Sequence, residues 1–122
     1  MSWTTWGLGF IAGAVLASYL TLSCAPTRAQ SAEVAGAIHE AAVTYGVSEP
    51  WLRRIAYCES RFTPWVTSRG GHMGLFQYAP ATYRWMSAQA GLAGTSPYNP
   101  WSAAMVTAWA LSRGYAGHWA CR

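Results

Sequence analysis

The chain has 122 residues, with eight Arg, no Lys, four Glu and no Asp, which gives a formal net charge of +4. The length excludes an assembly of several large domains, and the Arg residues are spread along the chain without the basic block that is typical of nucleic-acid binding. The lack of Asp means that any side-chain carboxyl group used in catalysis must belong to one of the Glu residues at positions 33, 40, 49 and 59.

The first 30 residues are set apart by an apolar run. Residues 2–27 contain no charged residue and no His, and residues 6–22 are almost wholly apolar. Such a run is typical of a secretory signal or a membrane anchor, and Ala29-Gln30-Ser31 fits a cleavage site. We predict residues 1–30 as a signal peptide or membrane anchor, with cleavage preferred. The protein is then exported to the periplasm, cell surface or medium, and attached to the membrane through residues 6–22 if the leader is retained.

Residues 31–122 form the second unit, of 92 residues, which suffices for one compact domain and not for two. It contains six Trp, most of which we expect in the core, with a few lining a groove. We expect a monomer that binds neither a cofactor nor nucleic acid.

The cysteines of this unit predict a disulfide. Cys24 falls in the leader and leaves Cys58 and Cys121 as a pair, whose bridge would stabilise the domain by ~4 kcal/mol on the loop-entropy model. One alternative is a zinc site in which His72 and His118 join the two cysteines, and another is a Cys–His nucleophile pair. Neither has a supporting motif, so we predict no metal site.

The hydrophobic periodicity predicts four helices. They cover residues 32–45, ended by Gly46, then residues 49–59 after the cap Ser48, then residues 83–89, and finally a helix after Asn99-Pro100 that runs through residue 112. Residues 62–74 contain three Gly and a Pro, and are predicted as a loop or short hairpin.

Glu59 lies at the end of the second predicted helix and continues its apolar stripe. The stripe consists of Leu52, Ile55 and Ala56 at helical spacing before Glu59. A carboxyl in this position lies where the core meets a cleft, and partial desolvation raises its pKa toward the value that suits a general acid. The alternative is an ordinary ion pair with Arg61 or Arg113.

Three motifs follow one another in this part of the chain: Ala56-x-x-Glu59-Ser60-x-Phe62-x-Pro64, Gly74-Leu75-Phe76-Gln77, and Pro80-Ala81-Thr82 at a helix start. Together they resemble the lysozyme-like lytic transglycosylases of the soluble lytic transglycosylase (SLT) family. Cys58 with the closing Trp119-Ala120-Cys121 is similar to the compact cysteine-linked members. The resemblance implies a mainly α, small lysozyme-like (SLT-type) helical domain at residues 31–122 with a short loop or hairpin, here preceded by an N-terminal apolar helix.

The function that the resemblance implies is cleavage of the β-1,4 bond between N-acetylmuramic acid and N-acetylglucosamine in peptidoglycan, with formation of a 1,6-anhydro ring. Glu59 takes the catalytic position. The number of acids agrees with this mechanism, which uses one carboxyl group. Ordinary glycosidases need a second carboxylate on the other side of the bond, but the chain has no Asp, and Glu33, Glu40 and Glu49 have no evident reason to face Glu59. The alternatives are a lysozyme-like muramidase that uses the same Glu59, and a catalytically weak module that binds cell wall.

The resemblance also implies a set of substrate-binding residues: Ser60, Gly74, Phe76, Gln77, Tyr78, Thr82 and Tyr115. Gln77 would hold the N-acetyl group, Ser60 would orient backbone or substrate, and Phe76 and Tyr78 would pack on the sugar or support Gln77. The family's later active-site Tyr has no clean match. Segments starting at Tyr115 and Tyr98 are candidates to replace it, and His118 with Trp119 is the alternative wall.

Overall fold

A computed structural model of the chain describes residues 26–121. They form four α-helices and a short 3₁₀ helix: α1 Arg28–Tyr45, α2 Glu49–Ser60, α3 Pro80–Gln89, α4 Pro100–Ser112 and the 3₁₀ helix Tyr115–His118. The only β-structure in this range is a pair of isolated antiparallel bridges that join Met73 to Thr67 and to Tyr78. The prediction of a mainly α domain with a short hairpin-like loop is therefore confirmed.

The predicted leader lies mostly in residues 1–25, outside the described residues. Among residues 26–121, no helix has the length and apolar character needed to span a bilayer.

Local capping chemistry sets most of the helix boundaries. The Ser48 side chain accepts a hydrogen bond from the Trp51 N–H at 3.3 Å, and the Asn99 side chain accepts one from the Ser102 N–H at 3.1 Å. Gly46 ends α1 with a φ of 65°, a left-handed conformation that glycine adopts without steric cost. These three caps are the ones that the sequence predicted.

Helix α1 begins four residues earlier than predicted. Thr27 and Gln30 form a capping box: the Thr27 hydroxyl accepts from the Gln30 N–H at 3.2 Å, and the Gln30 side chain accepts from the Thr27 N–H at 2.8 Å. The predicted cleavage site at residues 29–31 thus lies in the first turn of α1. Helix α3 begins at Pro80, three residues before the range that the periodicity predicted, as the Pro80-Ala81-Thr82 motif indicated.

Helix α4 lies at the centre of the domain. It is apolar on all sides and, apart from Trp101, its residues up to Leu111 are buried. Its largest helix–helix interface is with α1, and it also contacts α2, α3 and the 3₁₀ helix. Both helices carry several buried alanines, which are Ala37, Ala41 and Ala42 on α1 and Ala103, Ala104, Ala108 and Ala110 on α4.

The segment between α2 and α3 is fastened to this core. Leu75, Phe76 and Tyr78 are buried in it, and the Tyr78 hydroxyl shares a 2.8 Å hydrogen bond with the Thr107 hydroxyl of α4. At Gly74 the φ is +77°, and a Cβ atom would lie 2.0 Å from the carbonyl oxygen of Pro97. The close approach of these two backbone segments therefore requires glycine at position 74.

A disulfide joins Cys58 on α2 to Cys121, with 5.8 Å between their Cα atoms. The predicted pairing is confirmed, and the bond consumes both thiols of the proposed zinc site and of the nucleophile pair. Within residues 26–121, no three His, Cys, Asp or Glu residues are grouped so that they could hold a metal ion.

Candidate active site

A cleft of about 370 Å³ opens beside the C-terminal end of α2. Four chain segments build it: the last turn of α2, the loop that leads into α3, the first turn of α3, and residues 118–120 at and after the end of the 3₁₀ helix. Its lining residues are Glu59, His72, Gln77, Ala79, Thr82, His118, Trp119 and Ala120.

Glu59 is half-buried in this cleft, above an apolar stripe that is fully buried. Burial raises the pKa of the Glu59 carboxyl above its usual value, while the positive charge of His72 opposes the shift. Desolvation is the larger of the two effects. It raises the pKa because burial at the edge of the core disfavours the charged form of the acid. The predicted direction of the pKa shift is confirmed.

The ion-pair alternative for Glu59 is not observed among residues 26–121. In this range the ion pairs belong to Glu49, which contacts His39 at 3.1 Å and Arg53 at 2.9 Å. Arg61 instead lies over the ring of Tyr57, 4.5 Å from its centroid. Of the eight cleft-lining residues, only Glu59 has a carboxyl side chain.

Ser60 fixes the end of α2 next to Glu59. Its hydroxyl lies 2.8 Å from the carbonyl oxygen of Leu75 and 3.1 Å from that of Ala56, and it accepts a hydrogen bond from the Thr63 N–H at 3.1 Å. All of these partners are backbone groups, and Ser60 does not line the cleft. Of the two roles that the sequence left open for Ser60, the contacts fit the orientation of backbone.

Gln77 lines the cleft on the loop side, with a φ of 54° that turns the chain sharply. Its side-chain Nε2 donates to the carbonyl oxygen of Gly74 at 2.9 Å and lies 3.4 Å from that of Val66. Because both partners are acceptors, they fix which way the amide group points. The amide oxygen is therefore the atom of Gln77 that can accept a hydrogen bond from a ligand.

Phe76 and Tyr78 lie beneath the cleft instead of in it. Phe76 is 0% exposed and Tyr78 is 1% exposed, and burial raises the pKa of the Tyr78 phenol well above its usual range. Neither side chain can pack against a sugar, and of the predicted roles only the support of Gln77 agrees with this position. Gly74 is also buried, against Pro97, and its contact with the Gln77 side chain is made by its backbone carbonyl oxygen.

Tyr115 does not take the place of the family's later Tyr in the cleft. It is 41% exposed and packs against Trp85 and Trp109, with ring centroids 5.7 and 5.8 Å away. Tyr98 also lies elsewhere, where its hydroxyl bonds that of Thr67. The wall is formed by His118, Trp119 and Ala120, as in the alternative prediction.

Among the predicted substrate-binding residues, the structure thus brings only Gln77 and Thr82 into the cleft with Glu59. Sequence reasoning missed His72, which it considered only as a zinc ligand. The Ser68 hydroxyl accepts a hydrogen bond from the His72 N–H at 3.1 Å, and this contact helps to hold the residue at the cleft. The sequence signal that could have identified His72 was the pair Gly70-Gly71 directly before it, in a loop that follows Glu59 in the chain.

The arrangement suits proton transfer. A half-buried carboxyl with a raised pKa can donate a proton to a leaving group and then, as a carboxylate, take a proton from a nucleophile. The Gln77 amide oxygen and the His72 ring, which also line the cleft, offer hydrogen-bonding groups to a polar ligand.

Comparison with known proteins places this part of the chain in a family. The family model for the transglycosylase SLT domain matches residues 36–118, a range that includes Glu59, His72, Gln77, Thr82 and His118. Neither the curated proteins nor the solved structures include a significant match to this chain.

Proposed function

Because this chain belongs to the transglycosylase SLT domain family, we propose that it is a peptidoglycan lytic transglycosylase in which Glu59 is both acid and base. The bond cleaved is the β-1,4 linkage between N-acetylmuramic acid and N-acetylglucosamine. One observation carries the proposal: the cleft has a single carboxyl side chain among its eight described lining residues, and its pKa is raised.

The reaction needs no second carboxylate. Protonated Glu59 gives its proton to the leaving glycosidic oxygen as the bond to C1 breaks, and the N-acetyl carbonyl of the muramyl residue stabilises the developing positive charge. The Glu59 carboxylate then takes the proton of the C6 hydroxyl while O6 bonds to C1. The 1,6-anhydro ring closes without water, and Glu59 returns to its protonated form.

Gln77 and His72 serve this sequence in different ways. The Gln77 amide oxygen accepts a hydrogen bond from the acetamido N–H of the muramyl residue, which leaves the acetamido carbonyl free to approach C1. Since its positive charge lowers the Glu59 pKa, His72 stabilises the carboxylate that exists between the two proton transfers. On the opposite wall, exposed His118 faces the sugar, and buried Trp119 supports this wall from its base.

Muramidase activity is the nearest rival. An ordinary hydrolase activates water with a second carboxylate on the far side of the bond. Glu33 and Glu40 lie exposed on α1, and Glu49 is engaged by His39 and Arg53, so none of them lines the cleft. This distribution favours the transglycosylase reaction.

We also propose that the protein is exported, with residues 1–30 as its leader. Peptidoglycan lies outside the inner membrane, and disulfides persist in oxidising compartments. The bond between Cys58 and Cys121 suits such a location.

The test is mass spectrometry of the products that the oxidised full chain releases from purified peptidoglycan. We expect muropeptides with 1,6-anhydromuramic ends, which are lighter by one water than the hydrolysis products. Reducing ends would instead identify a muramidase. Binding to peptidoglycan without release would identify a cell-wall-binding module.

A further inference from the structure

A second pocket, of about 410 Å³, lies beside the cleft. The two share a rim, because three pairs of consecutive residues divide between the two sides. Consecutive Cα atoms are only about 3.8 Å apart. In each pair the first residue lines the cleft and the second lines the pocket: His72 and Met73, Ala79 and Pro80, Thr82 and Tyr83.

The chemistry of this pocket differs from that of the cleft. Arg84 is the only charged residue among those that line it, and its side chain is exposed. No ion pair within residues 26–121 involves Arg84. Met73, Pro80 and Pro97 contribute apolar surface. The pocket therefore combines apolar walls with one cation that has no anionic partner.

The hydroxyl groups of the pocket are already used within the protein. The Tyr83 hydroxyl lies 3.0 Å from that of Thr95, which donates to the Leu92 carbonyl oxygen at 2.7 Å. The Ser87 hydroxyl donates to the Arg84 carbonyl oxygen at 3.2 Å. An uncharged sugar ring needs many polar partners, which this pocket lacks, whereas a peptide with small apolar side chains and a carboxylate matches its walls and its charge.

We propose that the pocket binds the acidic peptide stem of the peptidoglycan strand, with the Arg84 guanidinium paired to a stem carboxylate. This inference rests on peptidoglycan as the substrate of the proposed function. The stem is attached through the lactyl group of muramic acid, so a muramyl residue in the cleft would send its peptide across the rim. Arg84 would then make the protein discriminate between strands with and without peptides.

The experiment measures binding by calorimetry, with Glu59→Gln in the oxidised full chain to prevent turnover. The probes are a soluble tetrasaccharide of the glycan strand that carries its acidic stems, and the same tetrasaccharide with the stems removed. We compare Arg84→Gln with Arg54→Gln, a matched control on α2 whose exposed Arg lines neither the pocket nor the cleft.

We expect Arg84→Gln to weaken binding of the stem-bearing ligand by about threefold to tenfold, as for a partly exposed ion pair to Arg, and to leave binding of the bare glycan unchanged. Arg54→Gln should change neither. Equal weakening for both ligands, no weakening for either, or no binding of the stem-bearing ligand would each overturn the inference.

The same design separates this inference from the proposed function. If the chain with Glu59 intact releases no anhydro products while the Arg84 effect on stem binding persists, the transglycosylase activity fails and the peptide site stands. If anhydro products appear and Arg84→Gln has no selective effect, the peptide site fails and the activity stands.

Discussion

Trp119 donates a hydrogen bond from its indole Nε1 to the backbone carbonyl oxygen of Phe76 at 3.0 Å, across 43 residues of chain. Phe76 directly precedes Gln77, and Trp119 is 3% exposed at the base of the opposite wall. Because the bond is buried, water could not replace the contact that the indole N–H and the carbonyl oxygen would lose if the bond were broken. The two walls of the cleft are thus held at a fixed separation from below.

Replacing Glu59 with Gln should abolish cleavage. Gln has the same shape but carries no transferable proton, so the release of anhydro-muropeptides should fall by at least about 10³-fold. The measurement is the initial rate of product release from purified peptidoglycan. Glu40→Gln, on the exposed face of α1, is the control and should keep the full rate. Undiminished cleavage by the Glu59 variant would remove the catalytic assignment.

Stability distinguishes lost chemistry from lost fold in that variant. The pKa of Glu59 is raised in the folded state, so its contribution to stability is fully present below the unfolded pKa and is lost as pH rises through the folded pKa. Above its folded pKa the ionised carboxylate therefore opposes folding. The urea midpoint of Glu59→Gln at pH 7 should equal or exceed that of the unsubstituted chain.

The pH profile of cleavage should depend on His72. The first step needs protonated Glu59, so kcat/KM should fall as pH rises through the Glu59 pKa, which lies above its ordinary value of 4.5. His72→Gln removes a positive charge that lowers this pKa, and should move the falling limb to higher pH. His39→Gln, which disrupts a pair with Glu49 instead, should leave the limb in place. A limb that stays fixed or moves to lower pH in the His72 variant would contradict the assigned interaction.

Gln77→Glu should destabilise the loop as well as block the reaction. The carbonyl oxygens of Gly74 and Val66 would lose their donor and face a carboxylate. The cost should be about 1–3 kcal/mol in the free energy of unfolding, measured by urea denaturation. The control is Gln89→Glu, at the exposed end of α3, which should change stability by no more than about 0.5 kcal/mol.

Gly74→Ala should be much more harmful than Gly91→Ala. The two glycines have nearly the same φ, +77° and +76°, so the conformational penalty is shared. A Cβ at position 91 meets nothing within 4 Å, whereas one at position 74 would lie 2.0 Å from the Pro97 carbonyl oxygen. We expect Gly91→Ala to cost about 1–2 kcal/mol and Gly74→Ala at least about 2 kcal/mol more. Equal losses in thermal denaturation would show that the loop yields at Pro97.

Removing the disulfide should cost ~4 kcal/mol on the loop-entropy model, for a bond that spans 63 residues. The measurement compares urea unfolding of the oxidised chain with that of the Cys58→Ser, Cys121→Ser double variant. A small domain has only about 5–15 kcal/mol to lose, so the variant should be close to unfolding at body temperature. Reductant should destabilise the unsubstituted chain to the same level and leave the double variant unchanged.

The sequence predicted those features that depend on neighbours in the chain. Caps at Ser48, Asn99 and Gly46 are local hydrogen-bonding and backbone effects, so they could be identified without a tertiary structure. The same is true of Glu59, because helical spacing alone aligns it with the apolar stripe of α2. The start of α1 was missed because Thr27 and Gln30 were interpreted as part of a leader, although their spacing is that of a capping box.

The lining of the cleft could not be predicted in this way. The φ of 54° at Gln77 is that of neither a regular helix nor a strand, so no hydrophobic period predicts where its side chain points. The side chain lines the cleft, whereas both of its neighbours are buried. Which aromatic residue forms the far wall depends on packing between distant segments: Tyr115 is held by Trp85 and Trp109, outside the cleft. The position of His72 likewise follows from loop closure over the core.

The order in which the ribosome makes these segments has a consequence for when the cleft exists. Glu59 emerges midway, but α1 cannot bury its apolar face until α4 has been made, and residues 118–120 and Cys121 follow later still. Contacts this distant in sequence form late in folding. A nascent chain that ends at residue 112 has Glu59 but lacks residues 118–120, so we expect the cleft to be complete only after synthesis has passed these residues.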